Sequence, residues 1–192
     1  MTATEVHELL TGLGACFDAK TWAKGKDLHT IWTTCDRGDW LLWIAGKMAD
    51  KDGWPTRKQL VLAACACAET ALKYVRPGQD QPRKAIETAR AWVRGEASIE
   101  DVRRSAYAAA DAAAYAANAA DAPDAVAVAS AASAAYAASA AAAYDAAAYA
   151  ASAAAAAAAY DAADARAKAL ANLANVVRQE LPEPCVAKAV SA

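Results

Sequence analysis

Few side chains in this 192-residue chain are suited to bond-making chemistry. There are five cysteines, Cys16, Cys35, Cys65, Cys67 and Cys185, and two histidines, His7 and His29. A tetrahedral metal site needs four such donors converging on one point. Cys65 and Cys67 stand two positions apart on a predicted helix, so their side chains diverge by about 200°. His7 and His29 fall in separate helical blocks. A thiolate nucleophile needs a base beside it, and Cys35 with His29 is the one pairing worth naming, with nothing in the spacing to poise it. No HExxH, GxSxG, P-loop or GxGxxG pattern occurs. The expectation is no catalytic residue, no metal and no cofactor.

The residue types that remain are those that bind. The densest cluster is CDRGDWLLW, Cys35 to Trp43. Asp36 at an N-cap with Asp39 three positions on is the spacing of a capping box, with Arg37 pairing one of the carboxylates. The same residues also suit a polar corner at a pocket mouth. In that arrangement Asp36, Arg37 and Asp39 offer hydrogen bonds, and Trp40 or Trp43 is a stacking wall. A second cluster is basic: Arg83, Lys84, Arg90, Arg94, Arg103 and Arg104, with Arg90 and Arg94 on one face at i, i+4. Glu87, Glu96, Glu100 and Asp101 dilute it. Tyrosines punctuate the alanine-rich half, among them Tyr107, Tyr115 and Tyr144. They either fill grooves between alanine faces or line a ligand groove. The candidate binding set is therefore Asp36, Arg37, Asp39, Trp40, Arg90, Arg94, Arg103, Tyr107, Tyr115 and Tyr144.

These residues must be positioned by helices. Alanine is the best helix former and loses no side-chain entropy on packing, while β-branched and aromatic residues are sparse outside a few clusters. The fold class expected is all-α, a compact multi-helix bundle whose alanine-rich C-terminal half packs long helices closely. A single domain over 1–182 is expected, with a Trp-rich half (1–97), an Ala/Tyr-rich half (98–182) and a flexible tail over 183–192. Helical blocks are predicted over Thr4 to Leu13, Phe17 to Ala23 (stopped by Gly25) and Asp27 to Thr34. The segment DWLLWIAGKMAD is apolar on nearly all sides, and Trp40, Trp43 and Ile44 share a face and are predicted to be core. Thr56 caps RKQLVLAACACAETALKYV, whose stripe Leu60, Val61, Ala64, Cys67, Ala68, Ala71, Leu72 and Val75 has helical spacing. After the break at Pro77 to Pro82, Arg83 to Arg94 is helical, with Gly95 as its C′ residue.

Ser98 with Asp101 opens the next helix, through Tyr107 and Tyr115 to about Asp121, before Pro123. Asp124 to Leu181 contains no Gly or Pro. One straight helix there would be about 87 Å long, against a radius of gyration of roughly 16 Å for a domain of this size. A turn is therefore expected between Tyr144 and Ser152. Leu170, Leu173, Val177 and Leu181 form the last apolar stripe, which Pro182 and Pro184 end. The tyrosine intervals follow no strict repeat.

The net charge of −2 gives no general attraction for DNA or RNA. The alanine run is not a membrane span, because Asp111, Asp121, Asp124, Asp145, Asp161 and Asp164 interrupt it. One central Asp costs about 2.5 to 3.5 kcal/mol on insertion. The odd cysteine count and the acidic start MTATEVHELL, without an apolar secretory core, point to reduced thiols in a cytoplasmic protein. Alanine faces can also present flat surfaces to ice, but no threonine follows Thr88, which weighs against that use.

Three runs carry a family resemblance: ACFDAKTWAKGKDLHTIWTTCDRGDWLLWIAGKM, RKQLVLAACACAETALKYV, and RKAIETARAWVRGEASIEDVRRSAYAAADAAAYAA. From about Ala15 to Pro182 the chain resembles the Imm-5-like immunity proteins, alanine-rich helical proteins of bacteria and phages. CDRGDW followed by LLW, and ARAWVRGE followed by alanine–tyrosine repeats, are the most specific parts. The resemblance implies neutralisation of a toxin in the same cell by direct binding, with no catalytic residues to transfer. A phage-encoded copy would act in the host bacterial cytoplasm, against a defence protein. Arginines that pair phosphates and aromatics that stack bases suggest an alternative ligand, an anionic nucleotide signal. The oligomeric state is left open, with a homo-oligomer compatible.

Overall fold

A computed structural model describes residues 1–75, 77–118 and 163–185. Those residues form helices and no strand: α1 (Ala3–Gly12), α2 (Phe17–Ala23), α3 (Leu28–Thr34), α4 (Gly38–Met48), α5 (Arg57–Glu69), α6 (Gln81–Arg94), α7 (Ile99–Asn118) and α8 (Ala163–Glu180). None of these helices is long and apolar enough to cross a membrane. The expected turn between Tyr144 and Ser152, the stop at Pro123 and the end of the tail (186–192) lie outside the described residues.

Local sequence explains most of the helix boundaries. Thr2 and Glu5 close a capping box at α1, and Thr56 and Gln59 close one at α5. Ser98 and Asp101 exchange the same reciprocal bonds at the start of α7, at 3.0 and 3.1 Å. The bonds hold the Asp101 carboxyl below its usual range, the Ser98 hydroxyl first among the causes. Asp27 caps α3 by accepting from the Thr30 N–H at 2.8 Å. Gly95 ends α6 in the left-handed region at φ 80°, where a Cβ would be strained.

α6 starts at Gln81, inside the break expected over Pro77 to Pro82, with Pro82 in its first turn, where a missing N–H leaves no helix bond unmade. Two further boundaries differ from the sequence expectation. The Asp36–Asp39 capping box does not form. α4 begins at Gly38, its cap residue is Arg37 without a side-chain cap bond, and the Asp39 carboxylate is taken by Arg37. Asp36 is exposed, one residue before that cap. Asp36→Ala should therefore leave the unfolding free energy within about 0.5 kcal/mol of wild type. Thr56→Ala, which breaks a real cap, should cost about 0.5 to 2 kcal/mol. Paired urea melts would check both, and a loss at Asp36 equal to that at Thr56 would restore the cap. The other difference is at α5, which stops at Glu69 and gives way to a 3₁₀ turn over Leu72–Tyr74. The Thr70 hydroxyl donates to the Cys67 carbonyl at 2.7 Å and competes for the last turn.

α5 is the central element. It packs against α4, α6 and α8, and α6 packs in turn against α7. Leu60, Val61, Ala63, Ala64, Cys65, Cys67 and Ala68 are all buried, so α5 is covered on several sides rather than along one stripe. Burial pushes the Cys65 thiol up to about 12 and raises that of Cys67 as well. Neither thiol is ionised at neutral pH. α7 turns Val102, Ala106 and Ala109 inward at i, i+4, i+7.

α8 returns from far along the chain to seal α4 and α5. Leu170, Leu173, Val177 and Leu181 are all buried, as their spacing predicts. Each such side chain contributes roughly 1.5 to 3 kcal/mol. At the crossing, Gly38 lies against the α8 backbone: a Cβ there would sit 2.7 Å from the Ala174 nitrogen and the Leu173 carbonyl carbon. Arg178 ties α8 to the end of α3. Its Nε donates to the Trp32 carbonyl at 2.7 Å, one terminal nitrogen donates to the Cys35 carbonyl, and the other donates to Asn175 Oδ1 at 3.0 Å.

Candidate functional site

α4 is apolar on nearly all sides because it serves two neighbours. Leu42 and Ala45 are fully buried, and α8 and α5 pack against the helix. Asp39, Trp40, Trp43, Ile44 and Lys47 share its other side at helical spacing and line a cavity of about 570 Å³. Ile44 is core, at 4% exposure. Trp40 and Trp43, expected in the core with it, are only half-buried and pack against it as cavity walls. The opposite wall comes from α2 and the turn before it, with Cys16, Ala19, Trp22 and Ala23. Leu10 of α1, Ile31 of α3 and the buried Cys35 also line it.

Aromatic and charged contacts fix the walls. Trp22 meets Trp40 edge to face, with centroids 6.2 Å apart at 61°, a favoured arrangement for two rings. Arg37 binds Asp39 at two points, Nε to Oδ1 at 2.9 Å and a terminal nitrogen to Oδ2 at 2.7 Å. This pairing raises the Arg37 pKa above its ordinary value. The guanidinium also lies over Trp40, 4.4 Å from the ring centroid. Lys26 stands over Trp22 at 4.2 Å and donates to the Trp22 carbonyl. Burial raises the Cys35 thiol above its ordinary value, which suits a wall residue and not a nucleophile. His29 faces Glu183 at 2.8 Å.

The other candidate residues are spread over other elements. Arg90 of α6 holds Glu69 at 2.9 Å, and Arg94 holds Glu96 at 2.7 Å. The second pair keeps the Glu96 carboxyl below its ordinary range. Arg103 lies 3.5 Å from Glu100 on α7. None of the three lines the cavity. Tyr107, at 72% exposure, and Arg103 lie one turn apart on the outer side of α7. Tyr115 belongs to the same helix, and Tyr144 lies outside the described residues.

The structure thus brings Asp39 and Trp40 into one site with Arg37 at its edge, and leaves Asp36 outside the lining. Sequence reasoning missed Trp22, Lys26 and Lys47. The i, i+3, i+7 spacing of Trp40, Trp43 and Lys47 signalled Lys47, whereas Lys26 lies beyond the end of α2 and reaches Trp22 only through the turn at Gly25. Among the described residues, no group of His, Cys, Asp and Glu is arranged to hold a metal ion.

Residues 55–176 match the family model described as "Imm-5 like putative immunity protein". The match takes in α5 to α7 and most of α8, and it begins after the cavity, whereas the resemblance read from sequence started at about Ala15. No curated protein and no solved structure matches the chain.

Proposed function

Because the chain belongs to the Imm-5 like putative immunity protein family, we propose that it neutralises a protein toxin or defence protein by stoichiometric binding, without turnover. The observation that carries this reading is the outer side of α7, inside the matched segment. Arg103, Tyr107 and Asp111 stand exposed there at i, i+4, i+8. The tyrosine is 72% exposed, with Ala110 on the next turn and the charged Arg103, Arg104 and Asp111 around it. Tyrosine buries a large area with few rotors and keeps a polar tip, which makes it an effective contact in protein interfaces. The engagement of Arg90, Arg94 and Arg103 with carboxylates also favours a protein partner over a nucleotide, whose phosphates would have to displace those carboxylates.

The test is a titration of the purified chain against toxins encoded in its gene neighbourhood. The expected result is saturation at a fixed ratio, with the target recovered chemically unchanged. Tyr107→Ala should weaken that binding by about tenfold or more, while its exposed position leaves stability within about 0.5 kcal/mol. Sub-stoichiometric chain that destroys the target over time would replace occupancy with catalysis. Unchanged affinity in Tyr107→Ala would move the contact away from α7.

A further inference from the structure

We propose that the cavity between α2 and α4 binds a small amphipathic organic anion, its apolar body held against the tryptophans and its charged head at the rim. The volume, about 570 Å³, falls within the range of small-molecule sites, about 300 to 1,000 Å³. Its walls are indole rings and aliphatic side chains. The charged side chains among them are Asp39 and Lys47. Both oxygens of Asp39 already accept from Arg37, so the carboxylate is poorly placed to read the polar edge of a nucleobase. An apolar body fits such walls better than a polar one, because each unmatched polar group would lose its water without gaining a partner.

The rim gives the sign of the ligand. Two of the three cavity tryptophans carry a cation on the ring face, Lys26 on Trp22 and Arg37 on Trp40, and Lys47 is in the wall. Among the described residues, the one carboxylate in the lining is Asp39, which is paired with Arg37. Lys26 and Arg37 stand outside the lining, as the exposed Asp18 and Asp36 do, but the two cations are seated on rings that line it. Arg37, Lys26 and Lys47 against Asp39 leave a net excess of cations, and low-dielectric walls concentrate its field at the opening, which favours a ligand of opposite charge. The site lies in residues 10–47, before the family match begins, and its occupancy does not depend on neutralisation of a toxin.

The probe is 8-anilinonaphthalene-1-sulfonate, an aromatic anion, titrated into the full chain and followed by fluorescence. The expected result is blue-shifted emission that saturates at one probe per chain. Ala19→Trp, which fills the cavity, should weaken binding by about tenfold or more. Cys16→Phe, which narrows the mouth, is the second plug should the first variant fail to fold, as judged by circular dichroism. A Lys26→Met, Lys47→Met double variant should weaken the sulfonate by about three- to tenfold and leave the neutral probe N-phenyl-1-naphthylamine unchanged. Non-saturating binding, or undiminished affinity in a folded plug variant, would overturn the site. Equal loss of both probes in the double variant would overturn the anion preference.

Discussion

Gly38→Ala is expected to lower the unfolding free energy by about 2 kcal/mol or more. Most glycines replaced by alanine in a helix gain about 0.5 to 1 kcal/mol, because alanine restricts the unfolded chain and favours the helix. Gly38 opens α4 and would share that gain if it had room. Instead its Cβ would meet the Ala174 nitrogen and the Leu173 carbonyl carbon at 2.7 Å, and the Leu173 Cβ at 2.8 Å. Two of those atoms are backbone, so no rotamer change relieves the overlap and α8 must shift. Overpacking of this kind costs about 1 to 3 kcal/mol, occasionally more. Gly12 is the control: nothing lies within 4 Å of a Cβ built there, so Gly12→Ala should be neutral or slightly stabilising. Urea melts of both variants, with unchanged m-values, would check the contrast. Equal stability of the two would mean that α8 does not seat on α4 as described.

Arg178→Met is expected to cost about 2 to 4 kcal/mol, with the loss centred on the junction of α3 and α4. The last carbonyls of a helix lack internal partners and carry the negative end of its dipole. Arg178 supplies donors to two of them at α3, Trp32 and Cys35, from a residue more than 140 positions later in the chain. Methionine keeps much of the apolar stem but leaves both carbonyls unpaired and part-buried. Lysine keeps the charge but cannot span two acceptors with a fixed fork, so Arg178→Lys should fall between methionine and wild type. Native-state hydrogen exchange should show faster opening of α3 amides in Arg178→Met than in wild type. Stability within about 0.5 kcal/mol of wild type would mean that the clamp is not formed.

What the amino-acid order determined by itself is local. Alanine content and apolar spacing made the described chain helical, and Leu170, Leu173, Val177 and Leu181 were placed inside by period alone. Thr56 with Gln59 and Ser98 with Asp101 closed their caps because both partners of a cap lie within four residues. The family could also be approached from the sequence, through runs such as ARAWVRGE that fall within the matched residues.

Tertiary structure decided the features that depend on which face meets which neighbour. Asp36 and Asp39 had the right spacing for a cap, but α4 begins at Gly38, where α8 crosses closely enough to exclude a side chain. Trp40 and Trp43 read as core because a cavity wall and a packed interior use the same apolar residues. Only the position of α2 left space beside them. Arg178 gave no local signal, since its acceptors are backbone atoms in another helix. Periodicity fixes the direction of a side chain about its own helix axis, while the distance to the next helix depends on contacts between residues far apart in sequence.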